Sequence, residues 1–198
     1  KTFTNCVLQF TATPFREDGK RLDGDIIYNY PLKKAQDEGY FKKINFIALS
    51  EYDPDLADEA IANEAIKQLK KDLKKGYDHI LMARVSSQVR ANEIYEIYKQ
   101  YPEYNPVLIH TGIKKIKRDE IRAQILKKKT QIIVCVDMLG EGFDLPELKI
   151  AAFHDIRKSL PITLQLAGRF TRTRQDDKLG EATFIANRGD NTLNEKID

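Results

Sequence analysis

A doubly wound α/β protein is what this sequence predicts, with a mainly parallel sheet and helices on both faces. Three observations carry that expectation. Short apolar runs rich in Ile, Val, Leu and Phe recur along the chain, stretches of helical periodicity separate them, and glycine, proline and polar residues gather where the runs end.

The first strand is expected at 7–10, where Val7, Leu8 and Phe10 are apolar, and the Gly- and Asp-rich stretch 16–25 reads as loop. Pro31 at a first turn and Gly39 at a stop bracket a short helix over 31–38. A strand follows over 44–49. Ala60, Ile61, Ala65, Ile66, Leu69 and Leu73 recur at helical spacing over 58–75, and Gly76 ends that helix. The alternation then continues with strand 79–83, helix 89–101, strand 107–109 and helix 116–128. Strands 132–136 and 150–153, a helix over 161–167 and a closing strand over 182–186 complete it. In such a sheet, ligands bind beyond the carboxyl ends of the strands.

Composition narrows the function classes. The chain has 198 residues, 41% hydrophobic and 32% charged, a globular balance sufficient for one domain with part of a neighbour. A net charge of +3 does not by itself announce nucleic-acid binding. Lysines nevertheless cluster at Lys70-Lys71, Lys74-Lys75, Lys114-Lys115 with Lys117-Arg118, and Lys127 to Lys129, runs that suit either a solvated helix face or a phosphate track. Cys6 and Cys135 sit in apolar runs, which fits a reducing, cytoplasmic setting and no disulfide framework. His79, His110 and His154 lack neighbours at metal-ligand spacing, so no zinc site is expected. The chain opens at Lys1 and closes in a polar stretch at Asp198, as a segment excised from a longer protein would.

Three segments could carry chemistry. In the run from Gln165 through Gly168 and Arg169 to Arg172, the two arginines lie three apart and project to one side of a helix or its last turn. Two fixed guanidinium forks suit a polyphosphate, although the same pair suits a plain basic helix C-terminus. The segment from Asp137 to Pro146 follows strand 132–136. Gly140 and Gly142 let its backbone turn sharply, and Asp144 could accept hydrogen bonds from ribose hydroxyls. An ordinary βα loop would show similar residues. Thr11-Ala12-Thr13-Pro14 follows the opening strand, and its two hydroxyls could relay hydrogen bonds between a nucleotide and a second surface.

Taken in order, these strings resemble superfamily-2 helicases and translocases, nearest to the restriction-enzyme-like and DEAD/DEAH-related group. Residues 11–14 match motif III (TATP), and 80–84 with the following helix resemble motif IV. His110-Thr111-Gly112 resembles a loop that touches the nucleic-acid backbone. Glu141 to Pro146 match the EGxDxP core of motif V, and Gln165 to Arg172 match the QxxGRxxR of motif VI.

The resemblance implies a RecA-like second motor domain over 42–198, truncated at its end, with 1–41 a remnant of the first RecA-like domain and a linker. It makes Arg172 the arginine finger and Arg169 its partner on the phosphates. Gln165, Gly142 and Asp144 would contact or organise the nucleotide. Arg84, Thr111 and Asp137 would lie on the nucleic-acid side, and Thr11 and Thr13 would couple the two. Two departures stand out. Cys135-Val136 occupy positions where a threonine is common before the motif V aspartate, and Arg84-Val85-Ser86 replace a small polar pair.

No GxxxxGK[ST] loop is present, nor an Asp-Glu pair at a strand end. ATP and Mg2+ would therefore be held mainly by the missing N-terminal RecA-like domain, and the fragment alone should not hydrolyse ATP. The expected partner is DNA first and RNA second, with nuclease or methyltransferase subunits a further option. The alternative is a non-catalytic nucleic-acid-binding module that keeps the motor fold, against which the intact Arg169 and Arg172 argue. An unrelated doubly wound enzyme is a third reading, against which the order of the motifs argues.

Overall fold

Strands form where β-branched and apolar side chains run together, and three keep the predicted bounds: β1 (Ile44–Leu49), β3 (Val107–Ile109) and β4 (Ile132–Val136). The computed structural model describes residue 8 and residues 24–39, 42–136, 145–155, 169–171 and 179–188. Within them lie also β2 (Ile80–Val85), β5 (Leu148–Phe153) and β6 (Ala182–Asn187). The helices are α1 (Leu32–Asp37), α2 (Pro54–Lys74), α3 (Gln88–Tyr98) and α4 (Lys115–Leu126). A 3-10 turn at Pro102–Tyr104 follows α3. The opening strand at 7–10 and the helix at 161–167 fall outside the described residues or almost so.

The six strands make one sheet in the order β1-β6-β5-β2-β4-β3, and every pair in it is parallel. This is the RecA-like α/β arrangement that the sequence predicts. The crossovers β1 to β2 and β2 to β3 move one way along the sheet and place α2 and α3 on one face. The crossover β3 to β4 moves back and places α4 on the other, as a single crossover hand requires.

Strand periodicity divides the core. Leu81, Ala83, Val85, Ile132, Val134, Ile150, Ala152 and Ile185 pack under α2 and α3. On the opposite face, Ile80, Met82, Ile133, Cys135, Ala151 and Phe184 meet Ile121 and Ile125 of α4 together with Phe170.

The other boundaries shift from expectation, and charge explains three of the larger shifts. Helix α2 begins four residues early because Asp53 caps it, accepting from the Asp55 N–H at 3.0 Å, with Pro54 at the first turn. Leu56 on that first turn is 49% exposed, so no apolar stripe announces it. Strand β2 runs on through Arg84, which is buried, and β5 starts two residues early through Lys149, also buried. Helix α3 stops at Tyr98, where the chain tightens towards Pro102.

Candidate functional site

The carboxyl edge of the sheet gathers polar residues from four elements. Ser86 leaves β2 and donates both its backbone N–H and its Oγ to Asp155 Oδ2, each at 2.8 Å. Ser87 caps α3, accepting from the Arg90 N–H at 3.2 Å. Arg90 then spreads its fork over three carboxylates: Nε to Asp155 Oδ1 at 3.3 Å, Nη2 to Asp58 Oδ2 at 2.6 Å, and Nη1 to Glu93 Oε2 at 2.9 Å. His154 Nδ1 lies 2.9 Å from Asp58 Oδ1, and the Tyr98 hydroxyl lies 3.1 Å from His154 Nε2.

Burial raises the Asp58 carboxyl, but the bonds from His154 and Arg90 outweigh it and hold the group below the ordinary carboxylate range. Asp155 follows the same pattern: burial pushes up, and Ser86 and Arg90 pull further down. Burial wins at His154 and lowers it, against the pull of Asp58. A neutral His154 donating from Nδ1 to Asp58 and accepting at Nε2 from Tyr98 satisfies both contacts. The network ties α2 and α3 to the exits of β2 and β5, and so fixes where the chain leaves β5.

Beside it, the loop after β3 is built tightly. The Gly112 N–H donates to His110 Nδ1 at 3.1 Å, and Gln88 Nε2 at the start of α3 donates to Thr111 Oγ1 at 3.2 Å. A Cβ on Gly112 would stand 2.2 Å from Gln88 Oε1, so any larger residue there displaces the Gln88 amide. Thr111, Gly112, Lys114 and Lys115 are all exposed. Burial lowers the His110 imidazole, which leaves Nδ1 free to accept from Gly112.

The arginine-bearing segment lies elsewhere. Arg169 and Phe170 are helical, and their backbone is pinned near the amino edge of the opposite face. Lys149 Nζ donates to the Phe170 carbonyl at 2.7 Å, and the Lys42 N–H, just before β1, donates to the Thr171 carbonyl at 3.3 Å. The Phe170 ring is wholly buried, edge-on to Phe184 at 5.2 Å. Leu145, the next-to-last residue of the Glu141–Pro146 string, belongs to the same apolar cluster. The carboxyl-end rule thus locates the Ser86 and Thr111 loops but not residues 169–171.

Of the residues singled out in the sequence, Thr111 is exposed beside the start of α3, and Arg169 is half-buried at the pinned segment. Arg84, expected on the nucleic-acid side, is only 2% exposed, and its Nη1 donates to the Asp155 carbonyl at 2.9 Å. Strand alternation explains the placement, since residue 84 shares a face with Ile80 and Met82. Thr11, Thr13, Asp137, Gly142, Asp144, Gln165 and Arg172 lie outside the described residues. Sequence reasoning missed Asp58, Arg90 and the His154–Asp155 pair. No spacing rule joins these positions, and the only signal was an acid and an imidazole at the end of a strand.

Among the described residues no group of three or more His, Cys, Asp or Glu is placed to hold a metal, and no helix is long and apolar enough to cross a membrane. At the other end of α2, Lys67, Lys70, Lys71, Lys74 and Lys75 line an open groove of about 560 Å³ with Tyr101. Its position at the amino edge separates it from the Ser86 and Thr111 loops.

Comparison with known proteins gives concordant likenesses. The family described as helicase conserved C-terminal domain matches residues 62–174, more than half of the chain. The UvrABC system protein B of Chlorobium phaeobacteroides is 26% identical over 132 residues, which cover 64% of this chain and 18% of that protein. Among solved structures, a fragment described as an HsdR subunit of a type I restriction enzyme from Vibrio vulnificus aligns with TM-score 0.67 and 24% identity. That alignment covers 93% of this chain and 40% of that one. The Mss116p DEAD-box helicase domain 2, bound to an RNA duplex, aligns with TM-score 0.55 and 15% identity over 73% of this chain and 54% of that one. At these identities the structural likenesses speak for a shared fold.

Proposed function

Because the chain belongs to the helicase conserved C-terminal domain family and is a superfamily-2 helicase C-terminal domain, we propose that it works as the second motor domain of an ATP-dependent nucleic-acid helicase or translocase. In this reading Arg172 is the arginine finger and Arg169 its partner on the phosphates. Gln165, Gly142 and Asp144 complete the nucleotide side. ATP and Mg2+ rest mainly on a first RecA-like domain, with Thr11 and Thr13 coupling its site to the nucleic acid.

The observation that carries the reading is the fixed backbone of residues 169–171. Buried and hydrogen-bonded at the Phe170 and Thr171 carbonyls, it holds the half-buried Arg169 on a rigid base. A preorganised guanidinium loses little on meeting charge that develops on a transferring phosphoryl group. Arg169 suits the phosphates of a nucleotide because its planar fork of N–H donors matches phosphate oxygens.

On the nucleic-acid side, Thr111 and the Gly112 turn stand exposed with Lys114 and Lys115 next to them, and Ser87 and Gln88 open α3 alongside. Hydroxyl and ammonium groups of this kind contact phosphates and position a strand without reading its bases. Arg84 serves this surface from within, by bonding the chain at the exit of β5. The chain spans only 18% of its curated relative's length, so the whole protein's track and partners belong to this proposal. DNA is the track we favour, from the restriction-enzyme-like grouping, with nuclease or methyltransferase subunits as candidate partners.

The test is an ATPase assay on the full-length gene product with single-stranded DNA, duplex DNA and RNA as effectors. Stimulation by DNA, with binding that weakens steeply as salt rises, is the expected result. Turnover indifferent to every nucleic acid would overturn the motor reading and favour a binding module.

A further inference from the structure

Between β2 and β5 the register slips by one residue. Ile80 pairs with Leu148 and Leu81 with Ile150, which leaves Lys149 as the extra residue of a bulge. Bulges are rare between parallel strands, and they turn a side chain away from its regular direction. Here the redirected side chain is a lysine with no exposed surface, and its ammonium meets the Phe170 carbonyl at 2.7 Å.

Lysine is almost never fully buried without a partner. Burial draws the Lys149 amine down from 10.5 to about 8. Repulsion from Lys42 adds to that effect, and Glu147, itself buried and paired with Lys128, opposes it. An apolar side chain of the same length would fill the slot with no charge to desolvate. Lys149 therefore detracts from stability at neutral pH. Its contact is with main chain, one residue after Arg169 and two before Arg172. A cation there also faces the carbonyl end of the helical turn, where positive charge is favoured.

We propose that Lys149 is a positioning residue, whose ammonium, turned inward by the bulge, fixes the Phe170 carbonyl and so sets where Arg169 and Arg172 stand against the nucleotide. The proposal rests on the arginine-finger reading above. The Lys42 N–H on Thr171 and the Phe170 ring on Phe184 hold the same turn, but neither contact carries charge.

The test compares Lys149→Met with Arg172→Ala in the full-length protein, through nucleic-acid-stimulated ATPase, nucleic-acid affinity and thermal unfolding. For Lys149→Met, kcat should fall by about 10- to 100-fold, as expected when a catalytic group is misplaced by about an ångström. KM for ATP, nucleic-acid affinity and melting temperature should hold or, for the last, rise. An unchanged kcat in Lys149→Met beside an inactive Arg172→Ala overturns this inference alone. Full activity in Arg172→Ala overturns the finger reading itself. Should Lys149→Met fail to fold, the wild type decides. Its kcat at saturating ATP should decline as pH rises through about 8 and the amine loses its proton, and a flat profile across that range overturns the proposal.

Discussion

The two edges of this one sheet treat charge in opposite ways. At the carboxyl edge, Arg90 shares its fork among Asp58, Asp155 and Glu93, and Arg90, Asp58 and Asp155 keep 20–30% of their side-chain surface open. At the amino edge, beside the exposed lysines of α2, two buried side chains reach main chain. Lys149 meets the Phe170 carbonyl, and His79 lies between Asp72 Oδ2 and the Leu179 carbonyl, each at 2.8 Å. A side-chain network can rearrange as loops move, whereas a charge bonded to a carbonyl fixes backbone. The carboxyl edge is thus suited to a surface that engages and releases, and the amino edge to holding the chain that such movement works against.

The contrast can be broken first at His79. His79→Leu leaves the Asp72 carboxylate buried with only Gln68 as a partner, and should destabilise by about 3–5 kcal/mol in urea unfolding. Adding Asp72→Leu should restore most of that loss, because the buried charge goes with its partner. A single variant within about 1 kcal/mol of wild type would show that the amino edge is no tighter than ordinary surface.

Asp58→Ala tests the other edge and should cost less, about 2 kcal/mol, since water reaches the groups it abandons. It should also lower stimulated ATPase activity by loosening the exit of β5. A loss equal to that of His79→Leu would erase the distinction between the edges.

Acid sharpens the comparison with a definite sign. His154 is lowered in the fold, so the unfolded chain binds its proton first, and stability should begin to fall as pH drops below about 6.5. Asp58 and Asp155 are also lowered, so their contribution, whole above about 4, is lost as pH falls through their native values. Urea midpoints between pH 8 and pH 3 should therefore decline in two stages, and an acid-insensitive midpoint would contradict the network. The smallest expected effect is that of Gly112→Ala. Its Cβ displaces only the flexible Gln88 amide, so stability should shift by under about 0.5 kcal/mol. Loss of the Gln88 bond to Thr111 should weaken nucleic-acid binding a few-fold, as read by anisotropy.

Most of the fold was legible because apolar periodicity is a local signal. β3 and β4 carry unbroken apolar runs, β1 is broken only by Asn45, and all three fall at their predicted bounds. The misreadings share a cause. Arg84 and Lys149 were read as strand limits because charge is expected at the surface, and both are buried inside strands whose partners come from distant segments. The sequence motifs pointed to Thr111 and Arg169, but the Asp58–His154 and Arg90–Asp155 contacts join positions 96 and 65 residues apart, beyond any local rule. The bulge that frees Lys149 is likewise a product of register, invisible until β2 and β5 pair.

The central claim is that this domain lends a guanidinium to ATP held by its neighbour. Single-turnover ATP hydrolysis by the full-length protein, wild type against Arg172→Ala, at saturating ATP and nucleic acid, tests it most directly. The account predicts a rate lower by about three to five decades with nucleic-acid affinity nearly unchanged. Hydrolysis at the wild-type rate would contradict it.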